Sequence, residues 1–112
     1  MPSSTTAPPL ELRADLPGRV VLTGRLDVTA AADARLALAS AVTTGAGDLV
    51  LDLSGLTAVD ATGLGVLVGA HRAADRAGRR LLLLDAPEQV HRLLRVTRLY
   101  RVLRTVATSD CA

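Results

Sequence analysis

Aromatic side chains are almost absent from this chain of 112 residues, which contains no Phe, no Trp and a single Tyr, Tyr100. Proteins that bind single-stranded nucleic acid stack bases on aromatic rings, and this chain lacks such a platform. Hydrophobic residues nevertheless make up 49% of the sequence, which favours a folded domain over a disordered chain. The core must therefore be built from Leu, Val and Ala.

Cysteine is nearly absent as well, since Cys111 is the only one. A single thiol forms no disulfide within the chain, which fits a reducing compartment. No stretch approaches the roughly 18–20 uncharged apolar residues that cross a bilayer. The segment 1–9 is neither basic nor apolar. We therefore expect a short disordered lead rather than a signal peptide, and a cytoplasmic protein.

Lysine is missing entirely, and all thirteen basic residues are Arg, although the net charge is only +2. No nucleic-acid-binding motif accompanies these arginines, so we expect no direct contact with nucleic acid. The arginines more often form solvated faces, on which their aliphatic stems cover apolar neighbours. Two groups stand out, and the second could form a basic stripe: Arg72, Arg76, Arg79 and Arg80, and Arg92, Arg95, Arg98, Arg101 and Arg104.

Turn and cap residues divide the chain into alternating strands and helices. Pro17-Gly18, Gly45–Gly47 and Gly78 mark breaks, and Thr29 is the expected cap of the first helix. Pro87 is expected in the first turn of the last helix. The predicted elements are strands at 10–14 and 19–24, a helix at 30–42, a strand at 48–53, a helix at 62–77, a strand at 81–84, a helix ending near Arg98 and a strand at 100–103.

The order ββαβαβαβ predicts an α/β fold with helices packed against a mixed, mostly parallel sheet of four to five strands. A single domain is expected over residues 10–104, followed by a tail at 105–112. The strands at 48–53 and 81–84 are almost continuously apolar. Such strands are typically covered on both faces of the sheet.

The segment 49–68 combines an apolar strand, a short loop and the start of an apolar helix. Asp60 and Thr62 stand at this helix start, where free backbone N–H groups favour a negative group. Either residue could simply cap the helix. Gly63 and Gly65 follow in the first turn, where each glycine costs up to about 1 kcal/mol relative to alanine. Close packing on the sheet, or the close approach of a partner, would explain them.

The same region lacks the parts of a catalytic site. Asp27, Asp60 and Thr62 resemble a hydrolase site only superficially, because no base is placed to activate the hydroxyl. His71 is expected on the inward face of the second helix, about two to three turns away, and His91 is expected at the surface. The chain has no metal-ligand spacing, Gly-rich phosphate loop or nucleophile elbow. We therefore expect no enzyme, no metal and no cofactor.

Three segments resemble the STAS domain family of bacterial anti-sigma factor antagonists, over about residues 10–104. Gly24–Asp27 is similar to the family's Gly-Glu-Leu-Asp, although Arg25 replaces the glutamate and reverses a charge at the rim. Leu51–Gly65 is similar to the family's strand, loop and phosphorylation site. Pro87–Leu94 is similar to the start of the family's third helix.

The resemblance implies that the unphosphorylated chain binds an anti-sigma factor that is also a GHKL-type serine/threonine kinase, and so releases a sigma factor. Phosphorylation at the start of the second helix then breaks the complex, and a phosphatase restores it. Thr62 is the implied acceptor, because Ala61 has no hydroxyl where the family often has two hydroxyl residues in a row. The implied partner-binding residues are Asp27, Asp60, Ala61, Thr62, Gly63, Leu64 and Gly65.

Two carboxylates are expected beside this hydroxyl. If the second and third strands are neighbours, their ends bring Asp27 and Asp60 to one edge of the sheet, flanking Thr62. A phosphate there adds about −1.5 to −2 charges, which are hard to bury against a partner. The alternative is a constitutive STAS adapter, or a subunit of a lipid-transport or signalling complex, that is never phosphorylated.

Overall fold

The computed structural model describes residues 9–108. The predicted lead apart from Pro9, and the end of the predicted tail with Cys111, lie outside the described residues. Strands and helices follow one another in the predicted order. They are β1 (Glu11–Leu16), β2 (Arg19–Leu26), α1 (Ala31–Thr43), β3 (Leu49–Val59), α2 (Ala61–Arg76), β4 (Leu81–Leu84), α3 (Glu88–Thr97), a 3-10 turn (Leu99–Arg101) and β5 (Arg104–Val106).

The five strands form one sheet in the order β1-β2-β3-β4-β5. β1 and β2 are antiparallel and joined by a tight turn, in which Gly18 has a φ of +76°. The strands from β2 to β5 run parallel, and a helix connects each to the next. The predicted α/β fold with a mixed, mostly parallel sheet is confirmed. Because parallel strands end at one edge, the carboxyl ends of β2 and β3 meet there.

The helices form a layer on one face of the sheet. Right-handed connections between successive parallel neighbours place all three helices on the same side. Along β2, Val20, Leu22 and Leu26 are buried beneath this layer and alternate with more exposed residues. The opposite face carries Val50 and Leu82, which are only half-buried. Asp52 and Leu84 on this same face are buried, so both faces of β3 and β4 are covered, the second one less completely.

β3 is longer than the sequence predicts. A strand at 48–53 and a short loop were expected, but β3 runs to Val59 and pairs with β2 through two register shifts. β4 pairs only with the first four residues of β3. Beyond them, the Gln89 side chain donates from Nε2 to the Thr57 carbonyl (3.0 Å) and accepts from the Val59 N–H at Oε1 (3.1 Å). One amide side chain thus makes the two backbone hydrogen bonds that a neighbouring strand would otherwise make.

The last strand lies later in the chain than predicted. The expected strand at 100–103 falls in the 3-10 turn and the residues after it, and β5 begins at Arg104. Leu103 is buried, whereas Tyr100 and Val102 are exposed, so this segment is anchored at one residue only. The sheet therefore continues past Arg104, where the domain was expected to end.

The N-cap residues of α1 and α3 differ from those predicted. Ala30 is the N-cap of α1 and makes no side-chain cap hydrogen bond, whereas the Thr29 hydroxyl donates to Asp27 Oδ1 (2.6 Å). The prediction that Thr29 caps α1 is therefore wrong. Pro87 is the N-cap of α3 instead of lying in its first turn. Packing against the sheet therefore contributes more to these helix starts than capping does.

Arg79 is buried, with 6% of its surface exposed, although a solvated face was expected for its group. Its guanidinium donates to four backbone carbonyls at and after the end of α1. Nε reaches Gly47 (2.8 Å), and Nη1 reaches Ala41, Val42 and Thr44 (3.0, 2.9 and 3.1 Å). The last carbonyls of a helix have no partner within the helix, so Arg79 satisfies groups that α1 leaves open.

Replacing Arg79 with alanine is expected to destabilise the fold by about 3 kcal/mol, because buried carbonyls lose their donor. Arg80 is the matched control, since it is adjacent in sequence but exposed, and pairs with Asp48 at 2.7 Å. Arg80→Ala should leave the free energy of unfolding nearly unchanged, because its ion pair is exposed to solvent. Urea unfolding measures both variants, and equal losses would contradict the role given to Arg79.

Candidate functional site

The candidate site lies at the edge where β2 and β3 end together. Leu26 pairs with Val59 at the end of the two strands, so Asp27 and Asp60 follow side by side. The Asp60 N–H also donates to the Leu26 carbonyl (3.4 Å). The expected neighbourhood of these two carboxylates is therefore present, and α2 starts directly from it.

Asp60 is the N-cap of α2. Its Oδ1 accepts from the Gly63 N–H (2.8 Å), which is the usual geometry of a capping carboxylate. Its Oδ2 accepts from the Val28 N–H in the loop after β2 (3.3 Å). One carboxylate therefore holds the helix start and the neighbouring loop in fixed positions.

Thr62 occupies the second position of α2 and is half-buried. Its hydroxyl makes no hydrogen bond within residues 9–108. The interpretation of Thr62 as a capping hydroxyl is wrong, because Asp60 already binds the Gly63 N–H. The N–H groups of Ala61 and Thr62 have no acceptor among the described residues. A negative group at this hydroxyl would meet free donors of its own helix.

Asp27 directs its carboxylate towards its own loop. Oδ1 accepts from both the N–H (3.0 Å) and the hydroxyl (2.6 Å) of Thr29, and Oδ2 lies 3.8 Å from Arg25 Nε. The hydrogen bond from the Thr29 hydroxyl, followed by the Thr29 N–H and the Arg25 charge, lowers the pKa of Asp27. Asp27 is therefore ionised at neutral pH, and Arg25 offsets part of its charge.

The remaining residues predicted to bind a partner fall into two groups. Ala61 and Gly65 are exposed, one turn apart on α2. Gly63 and Leu64 are buried, so the structure places them beneath the surface rather than on it. A Cβ at Gly63 would lie 2.0 Å from the Leu26 carbonyl oxygen, whereas a Cβ at Gly65 would meet nothing within 4 Å. Packing on β2 thus requires glycine at 63 but not at 65.

Val28 was not singled out from the sequence, yet it stands beside the two carboxylates with 66% of its surface exposed. Its N–H binds Asp60, which fixes the loop that presents it. A single valine after a strand carries no signal of its own in the sequence. The site therefore has an exposed apolar residue at its rim in addition to its charges.

Neither histidine makes a hydrogen bond to Thr62 within residues 9–108. His71 follows on the same helix and its Nδ1 is buried without a partner in the described part of the chain. His91 is half-buried on α3, beside a cavity that Asp85 also lines. Within residues 9–108 no group of three or more His, Cys, Asp or Glu residues could hold a metal ion. No helix in this range is long and apolar enough to cross a membrane.

A family model described as the STAS domain matches residues 13–112. This chain belongs to the STAS domain family. The resemblance seen in the sequence is confirmed, and the STAS fold accounts for the five-stranded sheet and the three helices.

Known proteins agree with this assignment. An anti-sigma F factor antagonist of Paenibacillus polymyxa is 33% identical over 55 residues, which are 49% of this chain and 47% of that protein. The match thus spans about half the length of that relative. The anti-sigma factor antagonist SpoIIAA in its unphosphorylated form aligns with a TM-score of 0.70 at 21% identity, over 91% of each chain. An anti-sigma factor antagonist from Mycobacterium paratuberculosis aligns with a TM-score of 0.74 at 19% identity, over 98% of this chain and 93% of that one. At these identities the two structures establish a shared fold.

Gly63 and Gly65 should respond oppositely to replacement by alanine. Gly63→Ala is expected to destabilise the fold by about 2 kcal/mol or more, because its methyl group meets the Leu26 carbonyl. Gly65→Ala, the matched control, should stabilise it by up to about 1 kcal/mol, because alanine favours the helix and has open space. Guanidinium unfolding compares the variants, and a change of the same sign in both would contradict this assignment.

Proposed function

We propose that this STAS domain is an anti-sigma factor antagonist that binds its target in the unphosphorylated form. The target is an anti-sigma factor that is also a GHKL-type serine/threonine kinase, and binding releases a sigma factor. Phosphorylation of Thr62 ends binding, and a phosphatase reverses it. The observation that carries the proposal is the unbonded Thr62 hydroxyl at the start of a helix capped by Asp60.

The proposed switch works through charge rather than refolding. A phosphate on Thr62 would lie near the free N–H groups of its own helix start, so the free chain tolerates it. Asp60 lies two residues before it, and Asp27 follows the neighbouring strand. Burying a dianion beside these carboxylates in an interface is unfavourable by several kcal/mol. A complex with a micromolar dissociation constant has only about 8 kcal/mol of binding free energy, so this loss is enough to dissociate it.

The surface proposed to meet the partner is the exposed part of the same edge. Ala61 and Gly65 leave one side of α2 without long side chains around Thr62, so that a kinase backbone can approach the hydroxyl. Val28 adds an apolar contact beside it. Packing within the chain does not require glycine at 65. Access of the partner to Thr62 would therefore be the role of this glycine.

One feature favours the constitutive adapter as a second candidate. Arg25 Nε lies 3.8 Å from Asp27 Oδ2. The arginine therefore offsets the charge of one of the two carboxylates that would repel a phosphate. An adapter would bind its partner equally well before and after exposure to a kinase. Binding measured before and after exposure to a kinase distinguishes the two functions.

Phosphorylation is tested by incubating the chain with an anti-sigma factor kinase and ATP, followed by a binding measurement. Wild type should lose binding, Thr62→Ala should retain it, and Thr62→Glu should bind at least about tenfold more weakly without ATP, because of its added charge. Thr43→Glu is the control, since Thr43 is exposed at the far end of α1. Phosphopeptide mass spectrometry should place the phosphate on Thr62. ATP-insensitive binding by all variants would support the adapter instead.

The partner surface is tested by Gly65→Leu. A leucine side chain has room on the surface at this position, so the variant should fold, but it should block the approach of a partner to Thr62. We expect the affinity for the anti-sigma factor to fall at least about tenfold, as for a well-packed interface position. Ala77→Leu, exposed at the other end of α2, should bind like wild type. Calorimetric titration measures both, and equal affinities would remove Gly65 from the interface.

A further inference from the structure

A strongly basic exposed surface runs along α3 and through the turn that follows it to the start of β5. Within residues 88–104 five arginines oppose one acidic residue, Glu88, which gives a local charge of +4 with neutral His91. All five arginines are exposed. We call this region the arginine surface; its arginines are Arg92, Arg95, Arg98, Arg101 and Arg104.

Only one of these arginines has an ion pair among residues 9–108. Arg95 pairs with Glu88 at 2.9 Å. Among the described residues, Arg92, Arg98 and Arg101 have no ion pair within 4 Å. The arginine surface therefore keeps unpaired cations in solvent.

Exposed apolar side chains stand among these arginines. Val96, Tyr100 and Val102 have 77%, 53% and 42% of their surfaces exposed. They are half of the large hydrophobic residues exposed in the described part of the chain, and they fall within seven consecutive positions. The sequence predicted arginine stems that cover apolar neighbours, but here the apolar side chains remain open. A face that is only solvated does not need exposed apolar side chains among its cations. Their clustering here therefore indicates a binding surface.

The arginines at and after the end of α3 lie at the edge of the sheet opposite Thr62. α3 begins at the edge where the parallel strands end, and its last turn and the start of β5 lie at the opposite edge. An open cavity of about 390 Å³ lies there, with Tyr100, Arg101, Arg104 and Thr105 in its lining. Two guanidinium groups and two hydroxyls beside such a cavity suit a phosphate group.

We propose that the arginine surface docks on a bilayer that contains anionic phospholipids. Exposed arginines are attracted to anionic headgroups, Tyr is favoured at the level of the headgroups, and Val96 can enter the boundary below them. A second copy of the chain is a poor occupant, because a two-fold contact would bring the two sets of arginines together. Thr62 would then face away from the membrane and remain accessible.

The test uses the full chain and sedimentation with vesicles of equal parts phosphatidylglycerol and phosphatidylcholine. Wild type should bind these vesicles, bind pure phosphatidylcholine far less, and lose affinity as salt is added. The combined variant Arg92→Gln, Arg98→Gln, Arg101→Gln should lose about a hundredfold in partition coefficient, at about fivefold per arginine. Arg35→Gln, Arg72→Gln, Arg76→Gln is the matched control, because it removes three exposed arginines elsewhere and should bind nearly like wild type.

Several outcomes would overturn the proposal. Equal losses in the two triple variants would assign vesicle binding to net charge alone. An absence of vesicle binding by the folded wild type, together with binding to inorganic phosphate detected by NMR at Tyr100, would assign the cavity to a small anion. Retention on polyglutamate without vesicle binding would assign the arginine surface to an acidic protein. Tyr100→Ala should also bind these vesicles more weakly, and unchanged affinity would contradict a contact made by this ring at the headgroups.

Discussion

The Asp60 carboxylate accepts one hydrogen bond from the Gly63 N–H and another from the Val28 N–H, and these two contacts position the whole candidate site. The first starts α2 at Ala61, so that Thr62 stands in its first turn. The second holds the loop after β2, which carries Asp27 and the exposed Val28. Both bonds depend on the parallel pairing of β2 with β3, which delivers Asp60 to the correct edge. The same carboxylate stands two residues before Thr62, so its charge would oppose a phosphate there.

The parts of the site that lie close together in sequence could be predicted from it. The helix start at Asp60, the neighbouring hydroxyl and the two glycines follow one another within six residues, and local capping chemistry governs them. The proximity of Asp27 and Asp60 required one topological assumption, the neighbourhood of the second and third strands. Alternating strands and helices made that assumption reasonable. The separate reasons for Gly63 and Gly65 required coordinates, since only distances to Leu26 distinguish them.

The second half of β3 and the role of Arg79 depend on contacts between segments that are distant in sequence, so no local sequence pattern predicts them. The second half of β3 contains Ser54, Gly55 and Thr57, which look like a loop until Gln89 is seen to satisfy the strand edge from α3. The role of Arg79 depends equally on where α1 ends, more than thirty residues earlier. These side chains bind backbone groups rather than complementary side chains, so the sequence carries no matching partner residue.

A phosphate on Thr62 is proposed to oppose binding by charge while the fold stays intact. The most direct measurement is a calorimetric titration of the anti-sigma factor with the chain before and after complete phosphorylation at Thr62, with thermal unfolding recorded for both forms. We expect the affinity to fall about a hundredfold or more, which corresponds to about 3 kcal/mol, while the unfolding temperature changes little. Equal affinity of the two forms, or a phosphorylated chain that no longer folds, would contradict the account.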